Sequence, residues 1–107
     1  MRQILIDKFF IPKNAFEEFL QRTAYNRDFI RHLHGFVEDA AYQRTDENGN
    51  LIFITVAVWE SQDVLEKARE VVQAEYKRIG FNPAELFSRL NITLDRGTYQ
   101  EADPSGR

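Results

Sequence analysis

Cysteine is absent from this 107-residue chain. A disulfide framework, a thiolate nucleophile, a zinc ribbon and a cysteine-ligated iron–sulfur cluster are therefore all excluded. Long apolar runs are missing too. Ile4-Leu5-Ile6 is broken at once by Asp7 and Lys8, short of the roughly 7–15 apolar residues at the heart of a secretory leader. Nothing approaches the roughly 18 residues of a membrane span. The expectation is a cytoplasmic protein with no membrane partner. Positive charge is scarce: 14 Lys and Arg stand against 17 Asp and Glu, a net charge of −3. Nucleic acid is thus not expected as a partner, because binding phosphates needs a basic face. No Gly-rich phosphate loop, HExxH, GxSxG or P-loop occurs. A chain of this length forms one domain and buries roughly two-thirds of its unfolded surface.

Pro12, Pro83, Gly35, Gly49 and Gly80 fall between periodic segments, while Gly97 weakens the last strand. Gln3–Ile11 is dense in Ile, Leu and Phe and reads as a strand that Pro12 ends. Asn14 with Glu17 has the form of a capping box. Phe16, Phe19, Leu20, Ile30 and Leu33 then recur at helical spacing, up to Gly35. Phe36–Thr45 and Leu51–Glu60 read as strands around Asp46-Glu47-Asn48-Gly49-Asn50, and Asn-Gly is the strongest short hairpin signal. Ser61 caps a second helix with its apolar stripe at Val64, Leu65, Ala68, Val71, Val72 and Ile79, stopped by Gly80. Asn82-Pro83-Ala84-Glu85 caps a short helix ending near Leu90, and Ile92–Tyr99 is a last strand. The order β-α-β-β-α-β is the ferredoxin-like, α+β arrangement with a four-stranded antiparallel sheet. Residues 1–100 form the domain, and 101–107 read as a polar tail.

A two-residue Asn48-Gly49 turn sets Tyr42 opposite Thr55, Arg44 opposite Phe53 and Ala40 opposite Ala57. Tyr42 and Arg44 then share a face with Phe53, Thr55, Ala57 and Trp59. A slip of one residue would exchange the faces. The third strand is apolar on both sides, whereas a half-solvated sheet alternates apolar with polar. Two helices cover one face, so the other is expected to pack on a second copy, giving a homodimer.

Trp59, at the end of that strand, is either core packing or the wall of a cavity for a flat ligand. Ala40, Thr55 and Ala57 beside it leave space for the second. Tyr42 and Arg44 are the polar groups expected to converge there, with Arg44 near the hairpin tip also readable as solvated. Tyr76 faces either the sheet or solvent. His32 and His34 lie two apart, off a common helix face, which makes them a poor chelating pair; a helix C-terminal or surface role suits them, and one is a candidate base at a pocket mouth. No metal site is expected. Asp7, Asp39, Asp95 and Arg96 are charges inside strands, explained by edge protection or interface pairing as well as by catalysis.

The runs Leu33-His34-Gly35-Phe36-Val37, Thr55-Val56-Ala57-Val58-Trp59-Glu60-Ser61 and Ala68-Arg69-Glu70, in this element order, resemble the antibiotic biosynthesis monooxygenase domain family. The resemblance spans roughly residues 1–99. It implies a dimeric α/β barrel with a cavity between sheet and helices in each subunit. Some members of that family oxidise aromatic polyketides to quinones with O₂ and neither metal nor flavin. Others degrade haem, or isomerise or decarboxylate small molecules. The quinone-forming members carry an asparagine four residues before the Trp that helps hold the ionising phenol; here that position is Thr55. The haem-degrading members carry a second Trp where Ala68 stands, and a later His that this chain lacks after Gly35.

The resemblance thus implies a monooxygenase acting on a small aromatic or polyketide-like molecule without a cofactor. Trp59, Thr55, Tyr42, Phe53 and Tyr76 would bind the ring, and His34 or Arg44 would stabilise the anion. The alternative is a non-catalytic dimer that holds a hydrophobic metabolite in the same pocket. An RNA-binding reading of this topology fails on charge and on the missing basic-Gly-aromatic strand pattern.

Overall fold

The computed structural model describes residues 1–103. Of the expected tail, residues 104–107 lie outside the described residues. Strand β1 (Gln3–Ile11) leads through a 3₁₀ turn (Lys13–Ala15) into helix α1 (Phe16–Ile30). Strands β2 (Phe36–Thr45) and β3 (Leu51–Trp59) form the hairpin. Helices α2 (Gln62–Ile79) and α3 (Pro83–Leu90) precede strand β4 (Thr93–Tyr99). The sheet order is β2-β3-β1-β4 with every neighbouring pair antiparallel. This is the expected ferredoxin-like α+β fold, with all helices on one face.

The punctuation residues act largely where the pattern placed them. Ser61 Oγ accepts from the Val64 amide at 3.3 Å, and Asn82 Oδ1 from the Glu85 amide at 3.2 Å. Gly80 closes α2 in the left-handed conformation. Asn14 does not cap α1. It is taken up in the 3₁₀ turn that Pro12 initiates, in which Ala15 N–H donates to the Pro12 carbonyl at 2.9 Å. Glu17 and Glu18 remain in the first turn of α1, where carboxylates complement the helix dipole. That helix ends at Ile30, earlier than expected, and a turn carries the chain to Gly35.

Gly35 has φ +84°, and a Cβ there would stand 1.7 Å from Val64 Cγ1. Conformation and close approach both require glycine, and the contact seats the start of α2 against the entry to β2.

The hairpin register differs from the expected one by a residue. Thr45 pairs with Leu51, placing Tyr42 opposite Ile54, Ala41 opposite Thr55 and Arg44 opposite Ile52. The cause is the Asp46 carboxylate. Its Oδ1 accepts from the amides of Asn48 and Asn50, both at 2.9 Å, and Asp46 N–H donates to the Asn50 carbonyl. The loop thereby becomes Glu47-Asn48-Gly49 with Gly49 at φ +81°. This is the three-residue hairpin with a left-handed glycine rather than the two-residue turn. A bulge at Val37 lets Phe36 face the same side as Trp59.

The helix-side core is divided. At one end Phe9, Ile11, Phe19, Leu51, Phe53 and Ile92 are buried together. Phe19 meets Phe9 and Phe53 edge-on at 4.9 and 5.5 Å between ring centroids. At the other end Trp59 packs with Ile30, Ala57, Leu65 and Ala68, its ring edge-on to Phe36 at 5.6 Å.

Gly35→Ala is expected to destabilise the fold by about 2 kcal/mol or more, from overpacking and positive φ together. In urea unfolding, adding Val64→Ala should recover the overpacking share. If the single variant unfolds at the wild-type midpoint, the close approach carries no energetic weight.

Candidate functional site

Between the two apolar clusters the helices stand clear of the sheet, and a cavity of about 550 Å³ opens there. Cross-strand register explains why. Ala41, Thr55, Asp7 and Arg96 form one row across the four strands, and Asp39, Ala57, Leu5 and Thr98 form the next. Small side chains at Ala41, Thr55 and Ala57 give the middle of the sheet a low floor, while phenylalanines rise at one end and Trp59 at the other. The roof follows helical periodicity: Phe19, Thr23, Asn26 and Ile30 from α1, with Leu65, Ala68, Val72 and Tyr76 from α2.

The floor is ionic at its centre. Asp7, 6% exposed, accepts two hydrogen bonds from Arg96, Nε at 2.7 Å and Nη2 at 2.8 Å. This bidentate geometry suits a carboxylate taken out of water. Asp39 accepts from Arg27 Nε at 2.6 Å, with Arg31 Nε at 3.5 Å from its other oxygen. These pairs assign roles to Asp7, Arg96 and Asp39 within one chain, in place of edge protection or interface pairing. Overhead, the Tyr76 hydroxyl donates to Asn26 Oδ1 at 2.8 Å. Burial pushes the Tyr76 phenol above its ordinary pKa; the Arg96 charge pulls it down, Asp7 pushes it up and Arg22 pulls it down. The phenol therefore stays protonated at neutral pH. The Arg22 guanidinium lies over the Phe81 ring, 4.2 Å from its centroid, and Phe81 meets Tyr76 edge-on at 5.1 Å. Trp59 borders the cavity with its indole Nε1 buried and without a partner.

Of the residues singled out in the sequence, Thr55, Trp59 and Tyr76 line the cavity. Phe53 faces the same side but packs in the apolar cluster against Phe19. Tyr42 and Arg44 lie on the opposite, helix-free face, with Tyr42 62% exposed. His34 is exposed in the turn between α1 and β2, outside the cavity lining. Among the described residues, no group of three or more His, Asp or Glu is placed to hold a metal ion. No helix of the described residues is long and apolar enough to cross a membrane. The polar groups the pattern did not assign to the cavity include Asp7, Arg96, Asp39, Arg27, Arg22, Arg69 and Asn26. A signal for two of them was present: Asp7 alternates with Leu5 and Phe9, and Arg96 follows Leu94 by two. A charge on an apolar stripe must be paired when buried.

If Asp7 and Arg96 act as a pair, a double-mutant cycle of Asp7→Asn and Arg96→Met should give a coupling of about 1–2 kcal/mol. Half-exposure of Arg96 holds the figure at that level. Additive single effects would mean the pair is idle.

Sequence comparison finds no matching family model and no matching curated protein. Comparison of structures does find neighbours. A "putative monooxygenase" from Shewanella loihica PV-4 superposes with a TM-score of 0.70 at 20% identity, over 95% of each chain. A "putative antibiotic biosynthesis monooxygenase" from Deinococcus radiodurans gives 0.69 at 14% identity, over 94% of this chain and 93% of that one. SnoaB, a cofactor-independent oxygenase from Streptomyces nogalater, gives 0.59 at 18% identity, over 95% and 94%. The family resemblance read in the sequence therefore extends to three dimensions: the chain has the fold of the antibiotic biosynthesis monooxygenase domain.

Proposed function

We propose that this chain is a monooxygenase that oxidises a small, flat aromatic or polyketide-like molecule with O₂ and no metal or flavin. The observation that carries the reading is the cavity of about 550 Å³ bounded by Trp59 and the ionic floor, in a fold shared with a cofactor-independent oxygenase. The chemistry needs a substrate that gives up a proton to become electron-rich. An anthrone-type CH₂ then reacts with O₂ to give a carbonyl and water, which balances without a cofactor. Trp59 and the apolar ends hold the ring plane. Thr55 hydrogen-bonds one of its oxygens, the Tyr76 hydroxyl oxygen, whose proton is given to Asn26, accepts from a substrate hydroxyl, and Arg96 stabilises the developing anion. Asp7, at the centre of the floor, is the carboxylate assigned to accept the proton.

A second reading is a non-catalytic module that holds a hydrophobic metabolite. It is favoured by the pairing of both floor carboxylates with arginines, which leaves neither as an unpaired base. An oxygen electrode with anthrone and dithranol separates the two. Uptake above the uncatalysed rate, falling about tenfold or more in Trp59→Ala, supports the oxygenase. Saturable binding without uptake supports the module.

The working unit is proposed to be a homodimer joined sheet to sheet. The helix-free face presents Ile4, Ile6, Ile54, Val56 and Val58, with Phe10 at 40% exposure. A contiguous, partly exposed apolar patch of this kind fits an interaction surface. Sedimentation at micromolar concentration should give twice 12.6 kDa, and Ile54→Glu should sediment as the monomer. A wild-type monomer mass would overturn the dimer.

A further inference from the structure

The proposed function leaves the ligand's charge open, and the cavity lining bears on it. Four arginines line the cavity (Arg22, Arg27, Arg69 and Arg96) against two carboxylates, Asp7 and Asp39. Asp7 is held by Arg96 and Asp39 by Arg27. Subtracting these pairs leaves Arg22 and Arg69, a surplus of two positive charges in a chain whose net charge is −3. Each has a different setting. Arg69 Nη2 reaches Thr98 Oγ1 at 3.4 Å, beside the β4 edge. Arg22 is half-buried and lies over the Phe81 ring, which also meets the Tyr76 ring edge-on. Glu18, one turn before Arg22 and within reach of its charge, gives both oxygens to Arg89 at 3.2 and 2.6 Å. Arg22 is therefore fixed by ring stacking, with its N–H groups in no hydrogen bond among the described residues. Arg96 spends Nε and Nη2 on Asp7, and Nη1 makes no such bond. Tyr76 feels both guanidinium charges, and it lines the same cavity as both, its ring meeting the Phe81 ring over which Arg22 lies.

Accordingly, we propose that the cavity's ligand is an acid: a flat apolar body bearing a carboxylate or equivalent anion, received beside Tyr76 with Arg22 as its counter-charge and Arg96 alongside. A guanidinium stacked on a ring is preorganised to bind a planar carboxylate, since the stacking removes side-chain freedom before the ligand arrives. A neutral ligand of the same shape would leave the half-buried Arg22 charge without a counter-ion. This inference rests on the reading that the cavity holds a flat apolar molecule, and its test keeps the two apart.

Anthracene-9-carboxylate and anthracene-9-carboxamide match in shape and differ in charge. Titrated by anthracene fluorescence at neutral pH and low salt, the wild-type chain should bind the acid about tenfold tighter than the amide. Raising the salt should weaken the acid and spare the amide. Arg22→Gln should bring the two within about twofold by weakening the acid alone, and Arg22→Lys, which returns the charge without the planar stack, should restore only part of the preference. The far-UV circular dichroism and the unchanged amide affinity of Arg22→Gln show that it folds. Equal binding of acid and amide by the wild type overturns the acid and leaves the flat-ligand reading standing, and a preference that survives Arg22→Gln overturns Arg22 as the counter-charge. Binding of neither probe overturns both.

Discussion

The cavity exists because bulk is distributed unevenly along the sheet. Phenylalanines stack at one end of the helix-side face and the Trp59 group at the other, so the helices are propped at two places and span the interval. A close-packed interior normally tolerates few voids. Here alanines and a threonine in the middle rows leave space that neither helix can sink into without unseating an aromatic end. The cost of unfilled volume is met by two well-packed clusters and by polar bridges across the roof, where Tyr25 donates to Glu75 and Tyr76 to Asn26.

The electrostatics follow from the same geometry. A carboxylate on the floor of a partly dry space needs a partner, and the register supplies one, since Asp7 faces Arg96 on the edge strand. The Glu75 carboxyl, held down to about 2 by hydrogen bonds from Arg78 and Tyr25, stays ionised over the physiological range. The α1–α2 bridge is thus insensitive to ordinary changes of pH. The floor and the roof are tied by charge and hydrogen bonds, and only the ends by apolar contact.

Much of this was readable in the chain beforehand, and the exceptions have causes. Element limits followed Pro12, Ser61, Gly80 and Asn82, whose backbone effects are local. The hairpin register did not, because Asp46 adds one residue to the loop by hydrogen-bonding two amides. That single residue moves Tyr42 and Arg44 to the far face and brings Asp39 and Ala41 onto the cavity side. Thr55 and Trp59 kept their side, since both faces of β3 are decided within that strand and by its pairing with β1. Arg22 escaped notice for a different reason. Its importance depends on Phe81, nearly sixty positions away, and no local pattern joins them.

Trp59 is the chain's one tryptophan. It is 2% exposed, its indole N–H lacks a partner, and its ring forms part of the cavity wall. The molecule therefore carries an intrinsic optical reporter at the place that matters most. Its emission arises from a single dry environment, uncontaminated by other indoles. Any occupant that quenches it, or supplies the missing acceptor, is seen without a label.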